Sequence, residues 1–563
     1  MKTICANSRV PARSALLGLL VLAAGPHLAA APTITAIANA ASNLAFGPSG
    51  PIAQGAIFII KGTGLGPDSI NIASAPFQST TLSGTSIAVL DTVGLTTVNA
   101  LMYYTSDTQV AALLPSNAPT GTLGFQVTYN GQTSKLVSHN VVANNVGIFT
   151  VDSSGQGPGI MTYADYSLVS SYKASNCGGP NTTCGAANPG DTLILWATGL
   201  GPVNGDDASG AGLAVNMPNL PLKLWLGGVA AQVQYQGRSG CCIGEDQIVF
   251  TVPDGVPTGC GVPLAVQMGN FVSNTVAIPV ATGSRSCDFI DPAIARIDPA
   301  QLSGTLTLGV PELDHFFNDS GNGFKDLVQN VFFSGSVPPS LEPFAGTYLS
   351  NIPIGTCTSQ TLLGNGGNNG PDFMNLTVLD SGSSLTITGP NGSMTTTVKP
   401  GDTATLSAAG SFLVPGDYTI TGAGGKDVGP FTAKVTIPAL PALTSPKGPT
   451  NFSRTKPLTV TWTPNSSPTH VAIQISSFVA NFVANNVGVE IDCTAPVGAG
   501  TFTIPTYVLL ALPPGNGTNF SFQPGDGPSG PASISTFSAT GIAFGLAQAF
   551  VDGVVFSGFQ ITN

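Results

Sequence analysis

Apolar and polar residues alternate with a period of two in short segments along the whole chain. Clear examples are residues 125–129, 385–388, 418–421 and 431–437. Because successive side chains of a β-strand point to opposite faces, each segment predicts a strand with one face on a core. Glycine, proline and asparagine separate the segments, as in Asn130-Gly131, a dipeptide typical of hairpin turns. The pattern therefore predicts an all-β chain with only short helical turns.

Two segments of the N-terminal half repeat each other. GAIFIIKGTGLGP at 55–67 corresponds to GDTLILWATGLGP at 190–202, and DTQVAALLP at 107–115 corresponds to EDQIVFTVP at 245–253. Such self-similarity predicts two copies of one fold. The TGLGP glycines suit a tight turn at a strand end better than a phosphate-binding loop, since neither a helix pattern nor Lys-Ser/Thr follows.

These motifs resemble a known fold and a known family. The repeat resembles the immunoglobulin-like TIG/IPT fold. ITAIANAAS at 34–42, GPGIMTYAD at 157–165, SGCCIGEDQIVFTVPDGVPTGC at 239–260 and SNTVAIPV at 273–280 are similar to secreted acidobacterial proteins of the Solibacter C-terminal-domain type. The C-terminal elements LTVTWT, CTAPVGAGTFTIP and VLLALPP resemble the same proteins. The resemblance implies export, β-sandwich modules and surface or matrix roles, and it implies no activity.

The expected fold class is all-β, with tandem immunoglobulin-like β-sandwich domains followed by further β-sandwich-like modules. A Pro/Ala/Ser-rich segment at 438–450 is typical of a linker. The predicted organisation is a signal peptide at 1–31, β-sandwich repeats at 32–145 and 146–287, a loop-rich β segment at 288–375, a small β-sandwich at 376–440 and a C-terminal β domain at 441–563.

The N-terminus is typical of a secretory signal. Lys2, Arg9 and Arg13 precede an apolar run at 14–25, and small residues at 28–31 suit cleavage. The apolar run is shorter than the roughly 20 residues needed to cross a bilayer. We therefore expect a secreted or cell-surface protein without a transmembrane anchor.

Charge narrows the set of partners. Only 8% of the 563 residues are charged, and the net charge is −11, whereas an average soluble domain has about 25% charged residues. An acidic chain has no cationic surface to displace counterions from a polyanion. Nucleic acid is therefore not an expected partner.

The cysteines of the predicted mature chain are even in number, which favours disulfides in an exported protein. Cys177 and Cys184 flank a short loop and are expected to close it. A bridge between the adjacent Cys241 and Cys242 would be strained, so each is expected to pair with Cys260 or Cys287. This leaves a long-range bridge between Cys357 and Cys493.

The search for catalytic residues is negative. His139, His315 and His470 fall in different predicted modules, and neither a G-x-S-x-G nor an H-E-x-x-H motif occurs. No catalytic residue and no organic cofactor is predicted. The acidic neighbours Asp206-Asp207, Glu245-Asp246 and Glu312/Asp314 are interpreted as solvated loop residues, although two carboxylates suffice for a glycosidase.

Two further features are candidates for binding. Residues 318–326 place oxygen-bearing side chains at alternating positions before a glycine, as a calcium loop does, although a polar turn is the favoured explanation. The candidate calcium ligands are Asn318, Asp319, Ser320, Asn322 and Asp326. Trp196 and Trp462 lie in alternating segments and are expected in cores, whereas Trp225 is ambiguous.

The sequence thus favours a non-enzymatic binding, adhesion or matrix protein whose partner is a protein or a glycan at the cell surface. Two alternatives remain open. One is an extracellular polysaccharide-directed hydrolase or its accessory binding module, and the other is a structural spacer.

Overall fold

The structure is a computed structural model. It describes residues 30–44, 50–91, 93–172, 183–209, 213–288, 305–318, 323–336, 338–349, 352–363, 376–465, 470–479, 487–524 and 533–562. The predicted signal peptide lies outside these residues apart from its last two positions. In the described part, helix is limited to α1 (Ala345–Leu349), α2 (Thr506–Leu509) and a few 3₁₀ turns. The prediction of an all-β chain is confirmed, and neither helix has the length and apolar character needed to cross a bilayer.

The first N-terminal repeat, called repeat 1, is a sandwich of two sheets around one core. The sheets have the orders β1-β3-β9-β8-β4 and β2-β12-β10-β6-β5, with β7 and β11 paired to β6 and β10. Its strands are β1 (Thr33–Asn39), β2 (Ile52–Ala53), β3 (Ile57–Thr63), β4 (Asn71–Ile72), β5 (Thr81–Leu82), β6 (Thr85–Leu90), β7 (Thr96–Asn99), β8 (Leu101–Thr105), β9 (Gln109–Leu113), β10 (Gly121–Tyr129), β11 (Gln132–Thr133) and β12 (Val137–Val142).

Repeat 2 follows the same succession of strands, but its two faces form one continuous sheet. The order is β13-β15-β18-β17-β16-β19-β20, with β14 on β15 and β21 on β19. Strand β17 is long enough to pair with strands of both faces, and it carries a bulge between Val233 and Tyr235. The strands are β13 (Gly147–Ile148), β14 (Met161–Tyr163), β15 (Thr192–Thr198), β16 (Leu222–Leu226), β17 (Val229–Arg238), β18 (Asp246–Thr251), β19 (Gly259–Met268), β20 (Phe271–Val272) and β21 (Val276–Val280).

The two TGLGP turns lie at equivalent places in the two repeats. Strand β3 lies between β1 and β9, and β15 lies between β13 and β18. The first glycine of each turn has a left-handed backbone, with φ of +68° at Gly64 and +102° at Gly199, a conformation that favours glycine. Further along, the Ser134 hydroxyl accepts a hydrogen bond from the Val127 amide, and Ser273 accepts one from Val266 in the same way. The interpretation of TGLGP as a structural turn is confirmed.

Buried polar contacts join the two repeats. The Thr198 hydroxyl accepts a hydrogen bond from the Ile57 amide of repeat 1 at 2.8 Å and donates one to the Gly244 carbonyl at 2.6 Å. The Asp207 carboxylate accepts hydrogen bonds from the backbone amide and the hydroxyl of Ser116 in repeat 1. Because these groups are buried, each contact satisfies polar atoms that would otherwise be costly, and it fixes one repeat against the other.

The C-terminal half contains two sandwiches whose strands are interleaved along the chain. The third sandwich packs the sheet β25-β23-β22-β39-β38, with β28 on β23, against the sheet β27-β26-β29-β30. Its strands are β22 (Thr305–Asn318), β23 (Gly323–Ser336), β25 (Thr377–Val378), β26 (Ser384–Gly389), β27 (Gly392–Thr397), β28 (Thr403–Ser407), β29 (Gly416–Gly422), β30 (Phe431–Ile437), β38 (Ser533–Phe537) and β39 (Phe544–Val551).

The fourth sandwich packs the sheet β24-β35-β34-β37-β40-β32 against the sheet β31-β33-β36 and α2. Its strands are β24 (Cys357–Leu363), β31 (Ala442–Ser445), β32 (Phe452–Ser453), β33 (Leu458–Thr463), β34 (His470–Val479), β35 (Val487–Pro496), β36 (Thr501–Ile504), β37 (Gly515–Pro524) and β40 (Val554–Thr562).

This topology corrects the predicted boundaries in the C-terminal half. The segment 376–440 supplies one face of the third sandwich, and most of the other face comes from residues 305–336 and 533–551. The segment 288–375, predicted to be rich in loops, contains the 14-residue strands β22 and β23. The physical reason is that the small sheet over 384–437 has a buried apolar face that must be covered by another sheet.

The disulfides agree with the sequence in part. Cys357 and Cys493 lie opposite each other on β24 and β35 and are bridged as predicted. The expected pairing of Cys241 and Cys242 with Cys260 or Cys287 is wrong, because Cys260 bonds to Cys287 and Cys241 bonds to Cys242. Cys260 and Cys287 are buried together with two alanines, away from the β17–β18 loop. Cys184 is disulfide-bonded, and Cys177 lies outside the described residues.

Candidate ligand-binding groove between the two repeats

A groove with a volume of about 940 Å³ lies where repeat 1 meets repeat 2. Its floor is the outer face of the sheet formed by β1, β3 and β9. Alternation along these strands sends Ile37, Phe58 and Val110 into the core of repeat 1. The opposite positions include Ala38 and Ala111, whose small side chains leave the floor open. We call this feature the junction groove.

Aromatic rings from repeat 1 form one wall of the junction groove. Strand β8 carries a bulge between Met102 and Tyr104, and both Tyr103 and Tyr104 line the groove. Phe77 stacks on Tyr103, with the ring centroids 4.0 Å apart and the planes 17° from parallel. Phe77 has a φ of +67°, a left-handed conformation that is uncommon for a side chain of this size and occurs often at ligand sites.

Repeat 2 supplies the opposite wall. Phe149, Cys242 and Glu245 line the groove there, and the Tyr103 hydroxyl donates a hydrogen bond to the Ile243 carbonyl across the junction. Burial raises the pKa of Tyr103 well above its usual value and also raises the pKa of Glu245. The Glu245 carboxylate accepts a hydrogen bond from Ser239 at 3.1 Å, which opposes this rise. The carboxyl group is thus half-desolvated at the edge of the groove.

The junction groove combines half-buried aromatic faces with polar groups at its rim. Asn43, Lys61 and Gln109 line it from repeat 1, and the Gln109 amide donates to the Tyr104 hydroxyl. Apolar surfaces with a few placed donors and acceptors are typical of ligand sites. Aromatic faces bury apolar C–H surface while amides and carboxylates bind hydroxyls. The groove is therefore chemically suited to a ligand that is apolar on one face and hydroxylated at its edge.

The candidate calcium loop is described only in part. Asp319, Ser320 and Asn322 lie outside the described residues, and Asn318 ends β22 opposite Gly323 at the start of β23. The buried Asp326 carboxylate accepts hydrogen bonds from the backbone amides of Phe412 and Leu413 and bonds to His315. Asp326 therefore holds the 412–413 turn against β23, and calcium binding by the loop stays a prediction.

The interpretation of the acidic neighbours as solvated loop residues agrees with the exposed Asp206 and is wrong for four of the others. Asp207 and Asp246 are buried, and Glu312 and Asp314 lie on β22. Gln329 donates hydrogen bonds to Glu312 at 2.6 Å and to Asp314 at 2.7 Å, and Gln548 on β39 also donates to Glu312. We call these four residues, Glu312, Asp314, Gln329 and Gln548, the Glu312 cluster.

The fourth sandwich contains a second arrangement of the same kind. Glu490 and Asp492 lie two positions apart on β35, between Gln360 on β24 and Gln474 on β34. Gln360 donates to Glu490 at 2.9 Å and to Asp492 at 3.2 Å, and Gln474 donates to Asp492 at 3.0 Å. We call these four residues the Glu490 cluster.

Burial raises the pKa values of the carboxyl groups in both clusters. Burial and the neighbouring Asp314 raise the pKa of Glu312 to about 8, and burial also raises the pKa of Asp314. Burial and the neighbouring Glu490 raise the pKa of Asp492 well above its usual value. Because Gln329 donates to both Glu312 and Asp314, the two carboxylates are neighbours, and each raises the cost of ionising the other.

The raised pKa values predict that the C-terminal half loses stability as the pH rises. A carboxyl group whose pKa is raised by folding binds more protons in the folded state, so its stabilisation is fully present below about pH 4.5 and lost as the pH rises through about 8. A tenfold difference in proton affinity between the folded and unfolded states corresponds to about 1.4 kcal/mol, so the rise of the Glu312 pKa from 4.5 to about 8 predicts a total loss on the order of 5 kcal/mol. Calorimetric unfolding between pH 5 and 9 measures this effect.

Isosteric variants identify the groups responsible for this pH dependence. Glu312→Gln with Glu490→Gln should flatten the pH dependence and raise the melting temperature at pH 8. The exposed Asp417→Asn in the same half is the matched control and should leave the wild-type profile unchanged. A double variant that keeps the full pH dependence would contradict the assignment.

The three tryptophans make contacts that stabilise the fold. Trp462 is buried, and its indole N–H donates to the Val497 carbonyl at 2.7 Å. Trp196 is only half-buried and donates to Thr162. Trp225 stacks on Tyr507 of the fourth sandwich, with centroids 4.8 Å apart and planes 6° from parallel. Trp225, ambiguous in the sequence, thus joins repeat 2 to the C-terminal half.

Comparison with known proteins finds matches of low sequence identity among solved structures. No protein-family model and no curated protein sequence matches the chain. Among solved structures, SGBP-B from a complex xyloglucan utilization locus in Bacteroides uniformis is 12% identical over 68% of this chain and 88% of its own, with a TM-score of 0.17. Domains 4–9 of the surface layer protein SbsC are 12% identical over 91% and 83%, with a TM-score of 0.16. The FN1–FN3 domains of chicken CNTN1 are 6% identical over 67% and 99%, with a TM-score of 0.15. TM-scores this low carry no argument about function, and the chain's own sheets identify it as an array of immunoglobulin-like β-sandwiches.

Proposed function

We propose that this protein is an extracellular, non-enzymatic binding protein and that the junction groove binds a glycan. The observation that carries the proposal is the Phe77–Tyr103 stack in the groove wall. A sugar ring has an apolar face and a hydroxylated edge. The aromatic wall suits the face, and Asn43, Gln109 and Glu245 suit the edge.

The rigidity of the junction supports this proposal. The groove walls come from different repeats, and buried contacts such as Thr198 with Ile57 and Asp207 with Ser116 hold these repeats together. A site that is formed before the ligand arrives loses less conformational entropy on binding. A polar ligand with modest apolar area benefits most from such preorganisation.

The proposed location is the cell exterior or surface. The predicted signal peptide, the acidic composition and the disulfides support it. We include in the proposal membership of the secreted acidobacterial family that the sequence resembles, since the CC…C motif of that resemblance contains the groove residues Cys242 and Glu245.

The contacts of His139 and His315 support a role without catalysis. His139 is hydrogen-bonded to the Gly50 carbonyl at 3.0 Å and packs against Phe125, and His315 is bonded to Asp326 and stacked on Phe324. Each of these side chains is committed to holding its own module. A histidine committed in this way is not poised to transfer a proton to a ligand in the junction groove.

The test is binding of the mature chain to a panel of soluble plant and microbial polysaccharides by affinity electrophoresis, followed by calorimetry with oligosaccharides of any that bind. We expect Phe77→Ala and Tyr104→Ala each to weaken binding about tenfold, since a stacked aromatic contributes roughly 0.5–1.5 kcal/mol beyond the area it buries.

The matched control is Tyr166→Ala, which removes an exposed tyrosine of repeat 2 that is not part of the groove lining, and it should bind like the wild type. Equal weakening in all three variants would place the ligand elsewhere. Absence of binding across the panel would favour the structural spacer.

A further inference from the structure

The loop between β17 and β18 carries a disulfide between adjacent residues, Cys241 and Cys242. Cys241 is exposed, and Cys242 lies in the wall of the junction groove. The other two disulfides described in full are buried, since Cys260, Cys287, Cys357 and Cys493 are all at most 4% exposed. A soluble reductant can therefore reach the Cys241–Cys242 bridge while these two remain protected.

Glu245 completes a set of three potential ligands at this loop. The Sγ atoms of Cys241 and Cys242 and a carboxylate oxygen of Glu245 all lie within 4.8 Å of one another. Glu245 takes part in none of the ion pairs Arg238–Asp246, Arg285–Asp191 and His315–Asp326 of the described residues. A half-buried carboxylate in this position would be stabilised by a cation.

We propose that the reduced loop binds one thiophilic divalent cation through the thiolates of Cys241 and Cys242 and the carboxylate of Glu245, with Zn²⁺ as the reference ion. The oxidised loop is the cation-free form, because a thiolate and not a disulfide sulfur is the ligand for such ions. The proposal concerns the loop itself and does not depend on whether the junction groove binds a glycan.

The redox step is a thiol–disulfide exchange with a dithiol reductant. One thiolate of the reductant attacks a sulfur of the bridge, and the S–S bond breaks to give a mixed disulfide and one free cysteine. The second reductant thiolate closes the reductant's own disulfide and releases the other cysteine. Two electrons pass to the protein, and its two sulfurs take up two protons, which are released when the thiolates bind the cation.

Once the disulfide is reduced, the three ligand atoms are close enough together to bind one tetrahedral ion. Zinc lies about 2.3 Å from thiolate sulfur and about 2.0–2.2 Å from carboxylate oxygen, which places its ligand atoms roughly 3.5–3.8 Å apart. The loop is held in place beside the cysteines, because Ile243 is buried against repeat 1 and the Gly244 carbonyl accepts the Thr198 hydrogen bond. Only the two sulfurs must separate for the ion to bind. Three protein ligands leave the fourth position to water.

The experiment titrates Zn²⁺ into the full mature chain by calorimetry, in the oxidised form and after brief treatment with dithiothreitol that is then removed without oxygen. Mass spectrometry after thiol alkylation verifies which cysteines are free. We expect one zinc ion to bind the reduced form at least 100-fold more tightly than the oxidised form. Alkylation of the reduced Cys241 and Cys242 should abolish binding without any change of sequence.

Two variants test whether zinc binds at this loop. Glu245→Gln should weaken zinc binding to the reduced form about tenfold or more, since it removes one of three ligands, whereas the exposed Asp254→Asn on a neighbouring loop should not change it. The proposal is overturned if the reduced and oxidised forms bind zinc equally, if brief reduction leaves the 241–242 bridge intact, or if Glu245→Gln binds like the wild type. A failure of glycan binding leaves all three readouts unchanged.

Discussion

Cys493→Ser is expected to lower the free energy of unfolding of the C-terminal half by about 4–5 kcal/mol. The Cys357–Cys493 bridge closes a span of 136 residues, and the chain-entropy model gives roughly this stabilisation for a loop of that length. The bridge joins β24 to β35. Its loss should therefore loosen β24 first, because within the described part of the chain that strand is at the edge of its sheet and pairs with β35 alone.

Hydrogen exchange resolved by peptide measures this effect. The wild type and Cys493→Ser should differ in exchange over residues 352–363 and 487–496 and agree over both N-terminal repeats. Cys287→Ser is the matched control, because it removes the buried bridge to Cys260 in repeat 2 and should show the reverse distribution. Equal exchange of β24 in the wild type and Cys493→Ser would contradict the prediction.

The buried ion pair of Arg238 with Asp246 predicts a second large effect. Neither side chain is exposed, and the guanidinium also donates to the Gly201 carbonyl beside Gly55 of repeat 1. Arg238→Met leaves the Asp246 carboxylate buried without its partner, and breaking a buried pair in this way costs about 3–5 kcal/mol. We expect the melting temperature of the two repeats to fall together, since the pair lies at their junction.

The double variant Arg238→Met with Asp246→Leu separates the charge from the packing. It should recover part of the stability lost by Arg238→Met, because no buried charge remains, whereas the Leu200 amide loses the hydrogen bond that it donates to Asp246. Denaturation by urea, followed through the fluorescence of Trp196, measures both variants. A double variant as unstable as the single one would show that packing at the junction, and not the uncompensated carboxylate, determines the loss.

The N-terminal fold could be predicted from the sequence because its signals are local and repeated. TGLGP, the Asn130-Gly131 hairpin and the matching alternation around Gln109 and Gln247 each specify a strand or a turn within a few residues. Their recurrence then specifies the order of the strands in both repeats. The same kind of local evidence predicts β26, β29, β30 and β33.

The interleaving of strands between the two C-terminal sandwiches could not be predicted in this way. Alternation shows that a strand has an apolar face, but it does not show which sheet covers that face. The parallel pairing of β22 with β39 joins residues more than 200 positions apart and leaves no mark in either segment alone. The two carboxyl clusters, in contrast, do have a signal in the sequence. GVPELD at 309–314 and GVEID at 488–492 are similar, and they contain the acidic pairs of the two clusters.

The junction groove is hidden in the sequence for a related reason. The CC…C motif points to Cys242 and Glu245, but the Tyr103-Tyr104 pair looks like one buried and one exposed residue of a regular strand. Only the bulge on β8 places both rings on the groove side. The cost of closing a ring over one peptide bond argues against a bridge between adjacent cysteines, whereas in the fold burial brings Cys260 and Cys287 together and leaves Cys241 and Cys242 to each other.

The parallel pairing of β22 with β39 has a mechanical consequence for the third sandwich. A pull between residue 305 and residue 551 acts on opposite ends of these neighbouring strands. The hydrogen bonds between residues 308–315 of β22 and 544–551 of β39 are then loaded together in shear. In an antiparallel hairpin pulled from its open end, the bonds would break one after another. The third sandwich is thereby built to resist extension, and the rate at which it unfolds under force, rather than its equilibrium stability, would govern how long it bears a load.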